Sequence, residues 1–234
     1  DTHVWHTDYD YSLLEGGDDL ADLAIGRLPG DTEAQITTMV NKILTYEAAD
    51  AGGTLPTDFQ ENMLFMAEVL WDNPWTDHAI CKNMIDDDSV PSRFDPITKL
   101  YQRNGTLDAT SALGALNGGC NIVMHQGHSN IDKVSVGSSD ITISDIDELT
   151  NGARGGLWYS VGCWSAAMDH DAFAEHWLLN TDGGGVAYVG NSRYGWGCPG
   201  YPGQCVSDLY SQEFFASLFT RDLVHAGAVH ADAK

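Results

Sequence analysis

Short continuous apolar runs recur along the chain, and stretches with apolar residues at helical spacing separate them. The runs are "MLFMAE" (63–68), "CNIVMH" (120–125), "GLWYSVG" (156–162) and "GVAYVGN" (185–191). Runs this short, without polar alternation, read as strands buried on both faces. An earlier run, "DLAIGR" (22–27), reads the same way, as a short buried strand ending in a glycine. After it, "AQITTMVNKILTYE" (34–47) places Ile36, Met39, Val40, Ile43 and Leu44 on one helical face, with Asp31 and Thr32 as N-cap candidates. "LDATSALGALNGG" (107–119) predicts a helix stopped by its glycines, and "SDIDELTNGA" (144–153) a short helix capped by Ser144. "DAFAEHWLLN" (171–180) and "SDLYSQEFFASLF" (207–219) predict two more. Buried strands alternating with helices indicate an α/β fold with a mostly parallel sheet and helices on both faces. No internal repeat or low-complexity tract breaks the pattern, so residues 1–234 are expected to form a single domain.

Ligands of such a sheet bind in the crevice beyond the carboxyl ends of its strands. Three runs carry a reactive side chain there: Glu68 after "MLFMA", His128 just past "NIVMH", and Cys163 after "YSVG". A thiol attacks as thiolate, which an imidazole can generate and a carboxylate can help to orient. Cys163 is therefore the candidate nucleophile, His128 the candidate base and acid, and Glu68 the candidate orienting group. Gly127 and Gly162 leave room for backbone to approach a substrate, and the amides of Ser129 and Cys163 are candidate oxyanion donors. His125 still lies within the strand's alternation and takes a supporting role. Plainer readings stand beside these. A buried cysteine is usually packing, and an acid at a strand end can cap a helix or bind calcium. The pair His125 and His128 could hold zinc, but the further Cys or His ligands of a structural zinc site are missing nearby.

Composition then narrows the partners. There are 34 acids against 11 bases, a formal net charge of −23. Such a surface repels nucleic acid, because no basic patch is left to release counterions from phosphates. The surplus serves solubility most simply; it would also draw basic substrates and supply carboxylates for calcium as a structural ion. Thiol chemistry itself asks for no cofactor. No apolar run approaches the ~18 residues of a membrane span, and the opening "DTHVWHTDYDYS" lacks the regions of a signal peptide. That opening, without Met, gives the expectation of a piece cut from a longer precursor. Of the five cysteines, Cys198 and Cys205 flank the turn-forming "PGYPGQ" and are expected to pair. Cys81 and Cys120 are candidates for a second bridge, and Cys163 is expected to stay free.

Four stretches, "DLADLAIGRLPGDTEAQITTMVNKILTYE", "LNGGCNIVMHQGHSN", "GGLWYSVGCWSAAMD" and "FAEHWLLNTDGGGVAYVGNSRYGWG", taken in order resemble the gingipain-like cysteine peptidases, relatives of the caspases. The resemblance implies a caspase-like αβα sandwich and a secreted or cell-surface endopeptidase that cuts proteins or peptides after a chosen P1 side chain. It places the family's histidine on His128, its nucleophile on Cys163 and its acid on Glu68. The loop beside the S1 pocket falls on "GNSRYGW", which makes Ser192 and Trp196 candidate pocket walls; Gln126 joins them as a candidate substrate contact. Ser129 stands where the family's Gly-His-Gly has its second glycine. A basic P1 residue is implied, with Asp77 of "VLWDNPWTDHAI" as the nearest acid and Asp72 as the alternative. Self-cleavage after a basic residue follows as an expectation, since Lys234 ends the chain. Two other functions compete: a catalytically silent binding or adhesion module on the same fold, and a zinc-dependent hydrolase using His125 and His128.

Overall fold

A computed structural model describes residues 8–18, 21–48 and 56–234; part of the acidic opening, residues 1–7, lies outside the described residues. Helix α1 spans Glu33–Ala48. Strand β1 (Met63–Ala67) runs into a hairpin of β2 (Val69–Asp72) and β3 (Trp75–Asp77), and α2 (Ala79–Asp88) follows directly. Then come β4 (Thr98–Tyr101), α3 (Ala109–Gly118) and β5 (Cys120–Gln126). A small antiparallel sheet of β6 (Ser129–Asn130), β7 (Lys133–Val136) and β8 (Ser139–Thr142) leaves the end of β5. The chain continues through α4 (Ile143–Asp147), β9 (Gly155–Ser160), α5 (Phe173–Leu179), β10 (Ala187–Val189), α6 (Val206–Phe215) and α7 (Ala226–Asp232).

The main sheet has the order β10-β9-β5-β1-β4, and all its pairings are parallel. Alternation along each strand feeds two cores. Leu64, Met66, Val123 and Trp158 pack with residues of α1, α3, α4 and α5 on one face. Phe65, Ala67, Ile122, Met124 and Tyr159 pack with α2, α6 and α7 on the other. The result is the expected αβα sandwich. From β4 the chain crosses back over β1 to lay down β5. That reversal makes a crevice beyond the ends of β1 and β5, the place where such sheets bind ligands.

Local chemistry sets the helix ends. Thr32 caps α1: its Oγ1 accepts from the Gln35 amide, and the Gln35 side chain accepts from the amides of Asp31 and Thr32. The cap of α4 is Thr142 rather than Ser144, because Thr142 and Asp145 close a reciprocal capping box. Lys42 joins α1 to the sandwich by donating to the carbonyls of Trp177, Leu178, Asn180 and Gly183 at the end of α5. Burial lowers this ammonium's pKa to about 8.

Two further expectations are corrected. "DLAIGR" forms no strand; the segment is exposed, with Leu23 and Ile25 open to solvent. It pairs with no strand, and β-propensity without a partner does not make one. Cys81 and Cys120 are both free, because they lie in the cores on opposite faces of the sheet. The bridge between Cys198 and Cys205 is formed, with Cα atoms 5.4 Å apart.

Candidate active site

The last residue pair between β5 and β9 is His125 with Ser160. His128 and Cys163 each lie three residues further on, so parallel pairing carries both to the same end of adjacent strands. The two loops are tied together. The Val161 amide donates to the His125 carbonyl at 3.3 Å, and Ser129 Oγ donates to the Cys163 carbonyl at 2.5 Å. A Cβ on Gly162 would sit 2.1 Å from Ser129 Oγ, so this clamp requires glycine there. The serine that departs from Gly-His-Gly thus uses its hydroxyl to hold the main chain of the candidate nucleophile.

Glu68 follows β1 and is buried. Its carboxylate accepts from two main-chain amides, His128 at 2.7 Å and Gly137 at 2.9 Å. Burial raises its pKa, against the pull of those two hydrogen bonds. Glu68 therefore positions the backbone of His128, while the ring has another partner. Nε2 of His128 lies 3.3 Å from the Leu70 carbonyl. A carbonyl can only accept, so Nε2 carries a hydrogen, and in the neutral ring Nδ1 is then the nitrogen with the lone pair. This carbonyl was not foreseen from sequence, since any residue type supplies one. Gly127 completes the arrangement: a Cβ there would meet Glu68 Oε2 at 2.6 Å and His125 Nε2 at 2.8 Å.

Cys163 is half-buried and free. The Gly195 amide donates to its sulfur at 3.4 Å. Among the described residues no hydrogen bond joins the thiol to the His128 ring. Trp164 takes a left-handed conformation, φ 62°, which costs a non-glycine residue about 1–2 kcal/mol. It is held there by its amide's bond to the Arg193 carbonyl and by the Arg193 guanidinium over its ring. The turn makes the chain change direction directly after the sulfur. Asn191 fixes the other side, donating to the carbonyls of Val161 and Gly162. The Cys163 amide has no acceptor among the described residues, and the β6–β7 ladder, in which Ser135 donates to the His128 carbonyl, leaves the Ser129 amide pointing away from β7. Both amides are thus available to an oxyanion.

His125 is fully buried beneath this site. Nε2 donates to the Ser135 carbonyl and Nδ1 accepts from Ser160 Oγ, each at 2.9 Å. Ser160 Oγ in turn accepts from the Gly162 amide at 3.2 Å. With both nitrogens committed, His125 would have to break this chain of bonds to join His128 on a metal. Desolvation lowers its pKa from 6.5 to about 4. The folded pKa is below the unfolded one, so the stability it brings is complete above about 6.5 and is lost as the pH falls towards 4, a loss of about 3 kcal/mol. His230, also lowered to about 4, titrates over the same window. A His125→Gln variant should therefore lose about 3 kcal/mol less stability than the wild type between pH 7 and pH 4 in urea titrations. Equal losses in the two proteins would show that His125 is not held neutral.

The remaining candidates separate. Ser192 is half-buried and Trp196 is 61% exposed, both on the loop that reaches the sulfur through Gly195. Gln126 is fully buried and donates to Asp208 on α6, so a substrate in the groove does not reach it as it stands. The strand's alternation explains this: Gln126 shares a face with Ile122 and Met124, which point into the core below the sheet. Asp77 is also buried, with one oxygen on the Ala79 amide and the other 3.1 Å from Arg103. Asp72 is exposed at the tip of the hairpin.

The profile of peptidase family C25 matches residues 2–234. Curated protein sequences give no significant match. Among solved structures, the chain is similar to the Arg-specific cysteine proteinase gingipain R (RgpB), with a TM-score of 0.77 and 16% identity over 98% of this chain and 53% of that one. It is similar to RgpB in the complex of the Porphyromonas gingivalis pro- and mature domains, with a TM-score of 0.73 and 18% identity over 97% and 53%. A third structure, described only as a protease, gives 0.65 and 17% over 97% and 56%. The chain thus spans about half the length of the solved proteins it resembles.

Proposed function

Because the chain belongs to peptidase family C25, we propose that it is a cysteine endopeptidase in which Cys163 attacks the scissile carbonyl and His128 moves the proton. One observation carries the reading: a free thiol and an imidazole whose Nε2 faces the Leu70 carbonyl stand at equivalent positions past adjacent parallel strands, with the Gly195 amide on the sulfur. In the proposed mechanism Nδ1 takes the thiol proton, and the thiolate forms a C–S bond with the substrate carbonyl carbon. The carbonyl oxygen becomes an oxyanion facing the Cys163 and Ser129 amides. The protonated ring then donates to the leaving amine as the C–N bond breaks, and water, activated by the same ring, hydrolyses the thioester. No cofactor enters these steps; calcium is proposed only as a structural ion held by surface carboxylates.

Substrates are proposed to be proteins or peptides with a basic P1 residue, which the net charge of −23 would attract. Ser192 and Trp196 are proposed as walls of the P1 pocket, and Asp77 as its acid. A P1 cation would compete with Arg103 for one Asp77 oxygen. Arg103→Ala should therefore lower KM for arginine-P1 peptides about threefold to tenfold, leaving neutral-P1 peptides unchanged. An unaltered KM would remove Asp77 and leave Asp72. Secretion or surface display is proposed as the setting, supported by the Cys198–Cys205 disulfide, since such bonds persist in oxidising compartments. No helix among the described residues is long and apolar enough to cross a membrane. Self-cleavage after a basic residue remains part of the proposal. A P1-varied peptide library, run with and without a chelator, tests the whole reading: chelator-resistant cleavage after basic residues supports it, and chelator-sensitive turnover points to the zinc hydrolase instead.

A further inference from the structure

The structure assigns Trp71 as a positioning residue for His128, an inference that rests on the peptidase reading above. Trp71 belongs to β2, outside the main sheet, and is half-buried. Its ring meets the His128 ring edge to face, with centroids 6.3 Å apart and planes at 87°. The preceding residue, Leu70, supplies the carbonyl that holds Nε2. That single hydrogen bond, at 3.3 Å, leaves the imidazole free to swing about it; a second contact on the ring itself is what fixes its plane.

The far edge of the indole abuts Gly197. A Cβ on that glycine would lie 2.7 Å from Cη2 and 3.0 Å from Cζ3 of Trp71, so the contact exists only because residue 197 has no side chain. Two residues earlier, the Gly195 amide touches Cys163 Sγ. Trp71 is thus wedged between the base and the loop that contacts the nucleophile. The wedge cannot drift, because the loop is anchored on both sides of it. The Trp196 amide bonds Ser207 Oγ, and the Gly200 amide bonds Thr76 Oγ1 on the neighbouring β3, with Gly200 packed against Pro74 of the hairpin turn. The Cys198–Cys205 bridge closes the segment that carries Gly200. These anchors do not involve the indole, so the hairpin and the loop should survive its removal while the His128 ring loses its lateral support.

The test compares Trp71→Ala, Trp71→Phe and Gly197→Ala by the rate of Cys163 alkylation with iodoacetamide, by kcat and KM on a peptide substrate, and by melting temperature. Trp71→Ala should slow both alkylation and kcat about tenfold or more, with KM changed less than about threefold, and Trp71→Phe should recover most of the loss. Gly197→Ala should slow both with Trp71 still present, by pushing the indole. In a His128→Ala background, Trp71→Ala should bring no further loss of alkylation rate, since its effect passes through the ring it supports. A further loss in that background, or an effect carried by KM alone, would overturn the assignment. If the wild type turns over no peptide and His128→Ala leaves its Cys163 alkylation rate unchanged, the peptidase reading has failed instead, an outcome separate from either.

Discussion

Replacing Cys163 by Ala, or His128 by Ala, is expected to lower peptide hydrolysis by at least about a thousandfold, with the melting temperature almost unchanged. The size follows from the step the two residues are proposed to share. Without the sulfur no acyl-enzyme forms, and without the imidazole the thiol stays protonated and the leaving amine receives no proton. Removing the second of the pair should therefore add little to removing the first, because they act as one unit. The fold should tolerate both changes. Cys163 is only half-buried, and His128 is exposed, with its ring's hydrogen bond to the Leu70 carbonyl to give up. Retention of more than a tenth of the activity in either variant would take that residue out of the mechanism.

Glu68→Gln should have the second largest effect, and it should appear in stability as well as in rate. The carboxylate accepts one main-chain hydrogen bond at each oxygen, from His128 and from Gly137, in a buried setting. A glutamine keeps one acceptor and turns its NH2 toward the other amide. One buried N–H is then unpaired and faces a donor, a loss of about 1–3 kcal/mol. The amide released in one of the two amide-flip states is that of His128 itself, so the loop carrying the base loosens. We expect kcat to fall about tenfold to a hundredfold, less than for loss of the base. Chemical denaturation and steady-state kinetics on the same preparation decide it. A large kinetic loss with wild-type stability would mean that Glu68 acts on the imidazole rather than on its backbone.

Much of this architecture was legible in the chain because burial on both faces leaves an unmistakable trace. "MLFMA", "CNIVMHQ" and "GGLWYS" become β1, β5 and β9 almost residue for residue, and their reactive ends then follow from the geometry of a parallel sheet. What was not legible depends on tertiary partners. "DLAIGR" has the composition of a strand but pairs with no strand, whereas "TKLY" is weakly patterned yet becomes the edge strand β4 because β1 is there to pair with it. Gln126, a candidate substrate contact, is turned by strand alternation toward Asp208. The Leu70 carbonyl leaves no trace in a sequence, because backbone chemistry is common to every residue. Trp71 does leave one, an aromatic residue next to a turn, yet the role proposed for it depends on Gly197, far away in sequence.

The central claim, that Cys163 is a nucleophile activated by His128, is tested most directly by mapping where an irreversible peptidyl alkylator with a basic P1 residue attaches. The five cysteines provide internal controls. Cys198 and Cys205 are paired, and burial pushes the thiols of Cys81 and Cys120 up to about 12. The account predicts one adduct per chain, on Cys163, formed in step with the loss of peptide cleavage and sharply slowed in His128→Ala. Full inactivation with Cys163 unlabelled, or labelling of Cys163 at the same rate in His128→Ala, would contradict it.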